Sequence, residues 1–307
     1  MEGITLAPFR RNFERFYPGM TAYMSPFLVA NQTLHFKNKE IRDILPENNQ
    51  GIRLIPQILT NQADQLLWAV EWLGQYGYDT LNLNLGCSMP QVANRGRGAG
   101  FLKDQKILAG FFDKVFSSLP DCISLSVKTR MGVRSPEEAK GLMSIYNAYP
   151  LSEIIIHPRL MTDLYRGQAS LEVFGEMLQM SVHPVCYNGD IFSVEDYRRI
   201  TERFPSLDRI MIGRGFLRNP SLLREIQGGE KAGLPELRRY HDSLFNVWRN
   251  TLSDERQAVS KMKEIWWYWQ NSFPGHEKEM KGIKKAQNAQ AYLVQIDKIF
   301  KEDRQPA

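Results

Sequence analysis

One cysteine of the chain directly follows an apolar, strand-like run. The run TLNLNLG covers residues 80–86, Cys87 comes next, and Asn84 lies three residues before it. The other cysteines, Cys122 and Cys186, lack CxxC spacing, and the odd total of three favours neither a disulfide framework nor a zinc site. A function for a thiol here would therefore be chemical, whereas Cys122 and Cys186 are predicted to be inert, small apolar residues.

Polar side chains also stand at the ends of the other strand-like runs. Between residues 53 and 225 such runs alternate with helical segments, which is typical of βα units on a parallel sheet. The carboxyl ends of barrel strands meet at one mouth, so side chains placed there are predicted to converge. These side chains are Gln57, Asn84, Cys87, Lys128, Arg130, His157, Arg159, Asn188, Asp190 and Arg214.

The pattern predicts an α/β fold: a (β/α)8 TIM barrel over residues 1–228, then a small helical domain over residues 229–307. Six strands are clear and one upstream strand is weaker; they cover residues 53–58, 80–86, 123–130, 153–159, 184–190 and 209–215, with 21–29 upstream. Eight strands are reached only if the first is truncated or lies upstream of Met1. Beyond the GGEKAG linker, three helices are predicted near 234–252, 255–273 and 277–302.

Two glycine-containing loops after the last two strands indicate a phosphate site. They are NGD at 188–190 and GRG at 213–215, and a helix is predicted after each. Glycine lets backbone N–H groups approach an anion, and barrels commonly bind phosphate at this position. Neither loop, nor the GRGAG turn at 96–100, has the GxGxxG spacing of a Rossmann dinucleotide site.

Lys128 at a strand end has two interpretations. Its ammonium could stabilise the negative charge of a reduced flavin, or a desolvated lysine could form a Schiff base. Gln57 favours the flavin, because a side-chain amide offers a donor and an acceptor to the alternating edge of a flavin pyrimidine ring.

These residues resemble the FMN-dependent tRNA-dihydrouridine synthase family. The family motif N-x-G-C-P-x-P-x-V with a G-x-G-A turn corresponds to NLGCSMPQVANRGRGA, and SVKTRMG, IHPR, NGDI and MIGRG follow in the family's order. MEGIT at 1–5 is similar to the tail of the family's opening motif, whose preceding strand and proline would lie before Met1. Ser88 departs from the pattern, since the family has proline after the cysteine, and we expect a more mobile loop with the thiol unaffected.

The resemblance implies an FMN-dependent oxidoreductase, reduced by NADPH or NADH, that reduces the C5–C6 double bond of uracil in tRNA or rRNA. Cys87 would give a proton to C5, because a thiol with a pKa of about 8.5 is protonated at neutral pH and still acidic. The implied substrate ligands are Asn84, Arg130 and His157. The implied cofactor ligands are Met1, Gln57, Lys128, His157, Asn188, Gly189, Asp190, Gly213 and Arg214.

A nucleic-acid partner also agrees with the charge of the chain. The formal net charge is +5 and the sequence pI is about 9.0. Lys278, Lys281, Lys284 and Lys285 recur at helical spacing, as on a face that follows phosphates or a solvated face. Arg95 and Arg97 are candidates for a lip that contacts RNA. The IWWYWQ stretch at 265–270 favours a buried seam between helices over a base-stacking surface.

We further expect a cytoplasmic protein with no metal and no membrane segment, and no feature predicts its oligomeric state. Three alternatives remain open: an FMN-dependent reductase or dehydrogenase of a small free pyrimidine, a Schiff-base aldolase on Lys128, and an RNA-binding barrel without catalysis.

Overall fold

Seven parallel strands form one curled sheet in the computed structural model, which describes residues 1–30 and 32–301. Neighbouring strands follow chain order from β1 to β7. Every strand agrees with a predicted one to within a few residues, and the predicted TIM-barrel class with C-terminal helices is confirmed. The strands are β1 Tyr23–Leu28, β2 Leu54–Ile58, β3 Thr80–Leu85, β4 Ser124–Gly132, β5 Ile154–Leu160, β6 Val185–Asn188 and β7 Arg209–Met211.

Helices follow the strands and cover the outside of the sheet. Short polar side chains start several of them: the hydroxyl of Ser193, for example, accepts the N–H of Asp196 at 3.1 Å. The helices are α1 Ala7–Phe16, α2 Asn38–Ile44, α3 Ala63–Gly74, α4 Pro90–Ala93, α5 Gln105–Phe116, α6 Glu138–Asn147, α7 Leu171–Met180, α8 Val194–Arg203, α9 Arg214–Arg218, α10 Leu222–Ile226, α11 Leu234–Thr251, α12 Glu255–Trp269, α13 Glu277–Lys285 and α14 Ala289–Lys301.

The register of the central strands sets the level at which their polar residues lie. Asn84 of β3 pairs with Lys128 of β4, and Arg130 pairs with His157 of β5. Both faces of β3 and β5 are buried, one against the helices and one inside the barrel. Their apolar residues supply the burial that stabilises the sheet, and the polar residues near the strand ends are held at its mouth.

The sheet contains seven strands in residues 1–30 and 32–301, and these are the seven that the sequence analysis locates in the chain. Strands β1 and β7 form its two edges. The residues before α1 form a turn, in which Met1 O accepts the N–H groups of Ile4 and Thr5.

The C-terminal region differs from its prediction in one respect. The third predicted helix, 277–302, is two helices, because Ala286 leaves the helical conformation with a ψ of 132°. Asn288 then starts α14, since its side chain accepts the N–H of Ala291 at 2.8 Å. The last predicted residue, 302, lies outside the described residues.

Aromatic residues of α1 pack against the C-terminal helices. Phe13 contacts Tyr240 of α11 edge to face, with ring centroids 6.3 Å apart, and Tyr17 contacts it at 5.2 Å. The predicted seam in α12 is confirmed for Trp266 and Trp269, which are both 2% exposed. Burying such rings stabilises the packing of α1 on α11 and α12 by about 2 kcal/mol each. The domain boundary at residue 228 stays a prediction.

No helix within the described ranges has the length and apolar character needed to span a membrane.

Candidate active site

Asn84 connects the end of β3 with the loop that carries the thiol. Its Oδ1 accepts the backbone N–H groups of Gly86 at 3.1 Å and of Cys87 at 2.9 Å. Its Nδ2 donates to Oε1 of Gln57 at 2.8 Å. The Asn84 side chain thereby fixes the first turn of the loop, and one N–H of its amide remains for a ligand.

Gln57 belongs to a polar layer across the interior of the barrel. Its Nε2 donates to Oδ1 of Asn82 at 2.8 Å, and Nδ2 of Asn82 donates to the Ser126 hydroxyl at 2.9 Å. A second contact of Nε2 is the Met24 sulfur at 2.9 Å, a weak acceptor. Gln57 therefore reaches the mouth with one free lone pair on its oxygen and one weakly used N–H, the donor and acceptor pair that the sequence analysis assigns to it.

The thiol of Cys87 is partly buried and protonated at neutral pH. Burial raises the pKa of Cys87, while a hydrogen bond from the Met89 backbone and the charge of Arg130 oppose that rise. A raised pKa suits a proton donor and does not suit a thiolate nucleophile.

A glycine turn supports the loop of Cys87 from behind. Gly98 has a φ of +56°, and a Cβ at this position would lie 2.7 Å from the carbonyl oxygen of Cys87. The N–H of Ala99 donates to the same oxygen at 2.9 Å. The GRGA turn of the motif thus holds the Cys87 loop, and only glycine fits at position 98.

Lys128 presents an unpaired cation to the mouth. Burial, followed by repulsion from Arg130, lowers the pKa of Lys128 to about 8. Throughout residues 1–30 and 32–301, its ammonium has no hydrogen bond and no ion pair to a carboxylate. A desolvated cation of this kind is stabilised by an anionic ligand.

His157 is held as a neutral ring. Burial lowers its pKa most, and the charges of Lys128, Arg130, Arg159 and Arg214 lower it further. Its Nε2 lies 3.0 Å from Nη1 of Arg159. Since a guanidinium only donates, Nε2 is the acceptor and Nδ1 carries the proton. His157 therefore offers a neutral N–H donor at the mouth.

Asp190 joins two arginines at the ends of β5 and β7. Its carboxylate accepts from Nη1 of Arg159 at 3.0 Å and from Nη2 of Arg214 at 3.0 Å. Burial acts to raise the pKa of Asp190, but the hydrogen bonds and charges of Arg159 and Arg214 prevail and lower it. Two guanidinium groups and one carboxylate leave a net charge of +1 in this cluster.

The remaining residues of the predicted phosphate site lie around this cluster. Asn188 ties β6 to β7 by donating to Met211 O at 2.8 Å. A Cβ on Gly213 would lie 3.9 Å from the Met1 sulfur, which places Met1 beside the loop after β7. Gly189 precedes Asp190. The structure thus brings Met1, Asn188, Gly189, Asp190, Gly213 and Arg214 together.

Arg130 is a buried residue near the end of β4. Its side chain is 1% exposed, and its N–H groups bond to Gly86 O, Ser88 Oγ, Leu160 O and Leu164 O. The guanidinium joins the loop after β3 to the loop after β5. Contact with a substrate stays a prediction for this residue.

Two residues near the mouth were missed as site residues by the sequence analysis. Arg159 was recognised at a strand end but given no role. Tyr165 lies in the loop after β5, where strand-end reasoning does not reach, and is 59% exposed. Its ring centroid is 6.3 Å from that of His157 and 4.7 Å from Cζ of Arg214. The one signal that the sequence offered for Tyr165 was an aromatic residue within a loop that follows a strand end.

The other cysteines lie outside this arrangement. Cys186 is buried, which agrees with its prediction as an apolar residue, but Cys122 is exposed. No group of three or more His, Cys, Asp or Glu side chains suited to a metal ion occurs in the part of the chain that the structure describes.

The sequence matches the profile of one protein family, Dihydrouridine synthase (Dus), over residues 1–302. The chain belongs to the dihydrouridine synthase family. The resemblance stated above is therefore confirmed. The tRNA-dihydrouridine synthase B of Pseudomonas putida is 25% identical over 99% of this chain and 91% of its own length.

Two further similarities agree with this membership. A tRNA-dihydrouridine(16) synthase of Pseudomonas syringae pv. tomato is 31% identical over 60% of this chain and 58% of its own length. The structure of the old yellow enzyme from Trypanosoma cruzi has a TM-score of 0.54 at 9% identity and covers 80% of this chain and 88% of that chain. That similarity shows the barrel fold of this family member.

Proposed function

We propose that this dihydrouridine synthase reduces the C5–C6 double bond of uridines in tRNA, with FMN as cofactor and NADPH or NADH as reductant. Family membership and the names of its relatives support this reaction. Such an enzyme would work in the cytoplasm. The observation that carries the proposal is the presence of a protonated thiol, Cys87, and an unpaired cation, Lys128, at the same mouth.

The residues at the mouth fit a flavin. Lys128 would stabilise negative charge at the pyrimidine end of the ring, and Gln57 and His157 would meet its polar edge. Arg214, with Asn188, Gly189 and Gly213, would hold the phosphate, and the net positive charge beside Asp190 favours this anion. When bound and reduced, FMN supplies the hydride that adds to C6 of the uracil.

Cys87 would complete the reduction by giving its proton to C5. Burial keeps the thiol protonated until negative charge develops on the uracil ring. The resulting thiolate would be stabilised by Arg130 and by the Met89 N–H, and it would regain a proton from water. Asn84 sets the position of the Sγ atom through the backbone of the loop.

Asn84 and Tyr165 would orient the uracil. The remaining N–H of the Asn84 amide can donate to a uracil oxygen. The exposed ring of Tyr165 lies beside His157 and offers an aromatic face to an extruded base. Extrusion of a base costs a few kcal/mol, so contacts with the RNA backbone must offset it.

The C-terminal helices supply charges for such contacts. The side chains of Lys278, Lys281, Lys284 and Lys285 on α13 are all exposed. The exposed Arg95 and partly buried Arg97 lie in the turn behind the Cys87 loop. Trp267 on α12 is 62% exposed and lies next to Tyr268, whose pKa is raised by burial while the nearby charge of Arg214 opposes the rise. These groups would hold phosphates and unstacked bases.

One observation favours a different chemistry, because the lowered pKa of Lys128 would also suit a Schiff-base lysine. Visible flavin absorbance of the purified protein separates the two. The reaction itself is tested by mapping dihydrouridine by mass spectrometry in RNA from cells with and without the gene. Loss of dihydrouridine at particular tRNA positions supports the proposal; unchanged RNA with altered free dihydropyrimidines favours the small-pyrimidine reductase instead.

A further inference from the structure

The guanidinium of Arg130 connects the loop of the thiol with the loop of Tyr165. On the thiol side, Nε donates to Gly86 O at 2.9 Å and Nη2 donates to the Ser88 hydroxyl at 3.0 Å. On the other side, Nη1 donates to Leu160 O at 2.7 Å and Nη2 donates to Leu164 O at 2.8 Å. The acceptors on the first loop, Gly86 and Ser88, therefore flank Cys87. The acceptors on the second loop, Leu160 and Leu164, precede Tyr165.

We propose that Ser88 and Arg130 form a clasp that fixes the Cys87 thiol relative to the Tyr165 loop, so that Ser88 is a positioning residue for proton donation. This inference rests on the proposed role of Cys87. Ser88 is 6% exposed and Arg130 is 1% exposed, so water does not compete for their bond. Ser88 follows the thiol directly, and any shift of its backbone moves Cys87.

Ser88 supplies the only side-chain hydrogen bond of this clasp in the described part of the chain; the other three acceptors are backbone carbonyls, and Cζ of Arg130 also lies 5.6 Å from the centroid of the Tyr165 ring. Proline at position 88 would restrict φ but could not accept from Arg130. A serine leaves φ free and restrains the loop through its hydroxyl. The greater mobility expected from the sequence is therefore opposed by this bond.

The remaining bonds of Arg130 explain what loss of the hydroxyl would do. In Ser88→Ala, three backbone acceptors still hold the guanidinium, so the two loops keep their overall course. One buried N–H of Arg130 loses its partner, and the residue after the thiol loses its anchor. The expected defect is a misplaced thiol in a folded enzyme, not an unfolded barrel.

The test compares Ser88→Ala and Ser88→Thr with the parent holoenzyme. We expect kcat for dihydrouridine formation to fall about tenfold or more in Ser88→Ala, with KM for tRNA changed by less than about twofold, because displacement of a reacting group affects the chemical step. Ser88→Thr keeps the hydroxyl and is expected to restore most of kcat. A role in folding alone would not give this split or this rescue.

A second readout does not depend on the reaction. The rate of Cys87 alkylation by iodoacetamide is followed by peptide mass spectrometry, which separates it from the exposed Cys122. Ser88→Ala is expected to change the Cys87 rate and leave the Cys122 rate unaltered. Ser221→Ala is the control, since Ser221 is also a buried serine with side-chain hydrogen bonds but lies between α9 and α10.

The two proposals fail in different ways. Parental kcat and parental Cys87 alkylation in Ser88→Ala would overturn the clasp. If the parent enzyme itself does not reduce uridine, the proposed function fails, while the alkylation rate still decides the clasp. If Ser88→Ala does not fold, the cycle Ser88→Gly, Arg130→Lys and the double variant replaces it, because glycine also lacks the hydroxyl; additive effects on Cys87 alkylation would then count against coupling.

Discussion

The side-chain oxygen of Asn84 accepts the backbone N–H of Cys87 at 2.9 Å, so the last polar residue of β3 holds the backbone of the residue that carries the thiol. The same side chain donates to Gln57 on β2. Asn84 therefore links the thiol to the polar layer inside the barrel, and the position of the thiol depends on a residue that does not carry the proton.

Replacement of Asn84 tests this link. In Asn84→Ala the N–H groups of Gly86 and Cys87 lose their acceptor, and we expect kcat for dihydrouridine formation to fall about 10- to 100-fold. Asn147→Ala is a matched control, because the Asn147 side chain also bonds backbone groups, Met180 O and Val182 N–H, but at the C-terminal end of α6. A parental kcat in Asn84→Ala would show that the loop does not need this acceptor.

Binding of the flavin is expected to depend on pH through Lys128. The folded-state pKa of about 8 lies below the ordinary value of 10.5, so the free protein loses this cation as pH rises through about 8. The negative charge that a reduced flavin carries at its pyrimidine end requires the protonated form, and the affinity for reduced FMN should therefore decrease above that pH. Anaerobic titration of the apoprotein with reduced FMN at pH 7 and pH 9 measures this, and Lys128→Met should bind weakly at both. Equal affinity of the parent protein at both pH values would show that Lys128 does not interact with the flavin.

Arg214 is expected to distinguish FMN from riboflavin. Its guanidinium lies beside Asp190 in the cluster with a net charge of +1, where the phosphate is predicted to bind. Arg214→Ala should weaken the binding of FMN about tenfold and leave the binding of riboflavin nearly unchanged, since only FMN carries the phosphate. Arg218→Ala, four residues later on α9 and stacked on Phe192 at 4.1 Å, is the control. Equal losses for FMN and riboflavin would place the phosphate elsewhere.

The lysines of α13 are expected to contribute to RNA binding and not to the reduction of the flavin. Lys281→Glu with Lys285→Glu should weaken tRNA binding strongly at low salt and less at high salt, because fewer counterions are released. Reduction of FMN by NADPH should be unaffected. The control reverses Lys106 and Lys140, exposed lysines on α5 and α6 of the barrel. If the two pairs of charge reversals weaken RNA binding equally, the lysines of α13 have no special role in it.

The sequence predicted the strands and the mouth because each follows from local pattern. Alternation of apolar runs and helices identifies the strands, and the parallel register then brings Asn84 beside Lys128 and Arg130 beside His157. Side-chain partners do not follow from such patterns. That Arg130 bonds Leu164 O, or that Arg159 bonds His157 Nε2, depends on how loops from different strands pack.

The missed features have the same cause. Tyr165 lies within a loop whose course no periodicity describes, and its place beside His157 is set by tertiary packing. The break between α13 and α14 depends on Asn288 capping a helix, a signal outweighed by the continuous apolar spacing on either side. The edges of the sheet at β1 and β7 are likewise a property of the assembled fold.

Replacement of the thiol tests the central claim most directly. Dihydrouridine formation in tRNA is measured for Cys87→Ala and for the control Cys122→Ala, whose cysteine is exposed. We predict that Cys87→Ala retains FMN and oxidises NADPH but forms dihydrouridine at least about 100-fold more slowly, because C5 has lost its acid. Dihydrouridine formation by Cys87→Ala at the parental rate would contradict the account.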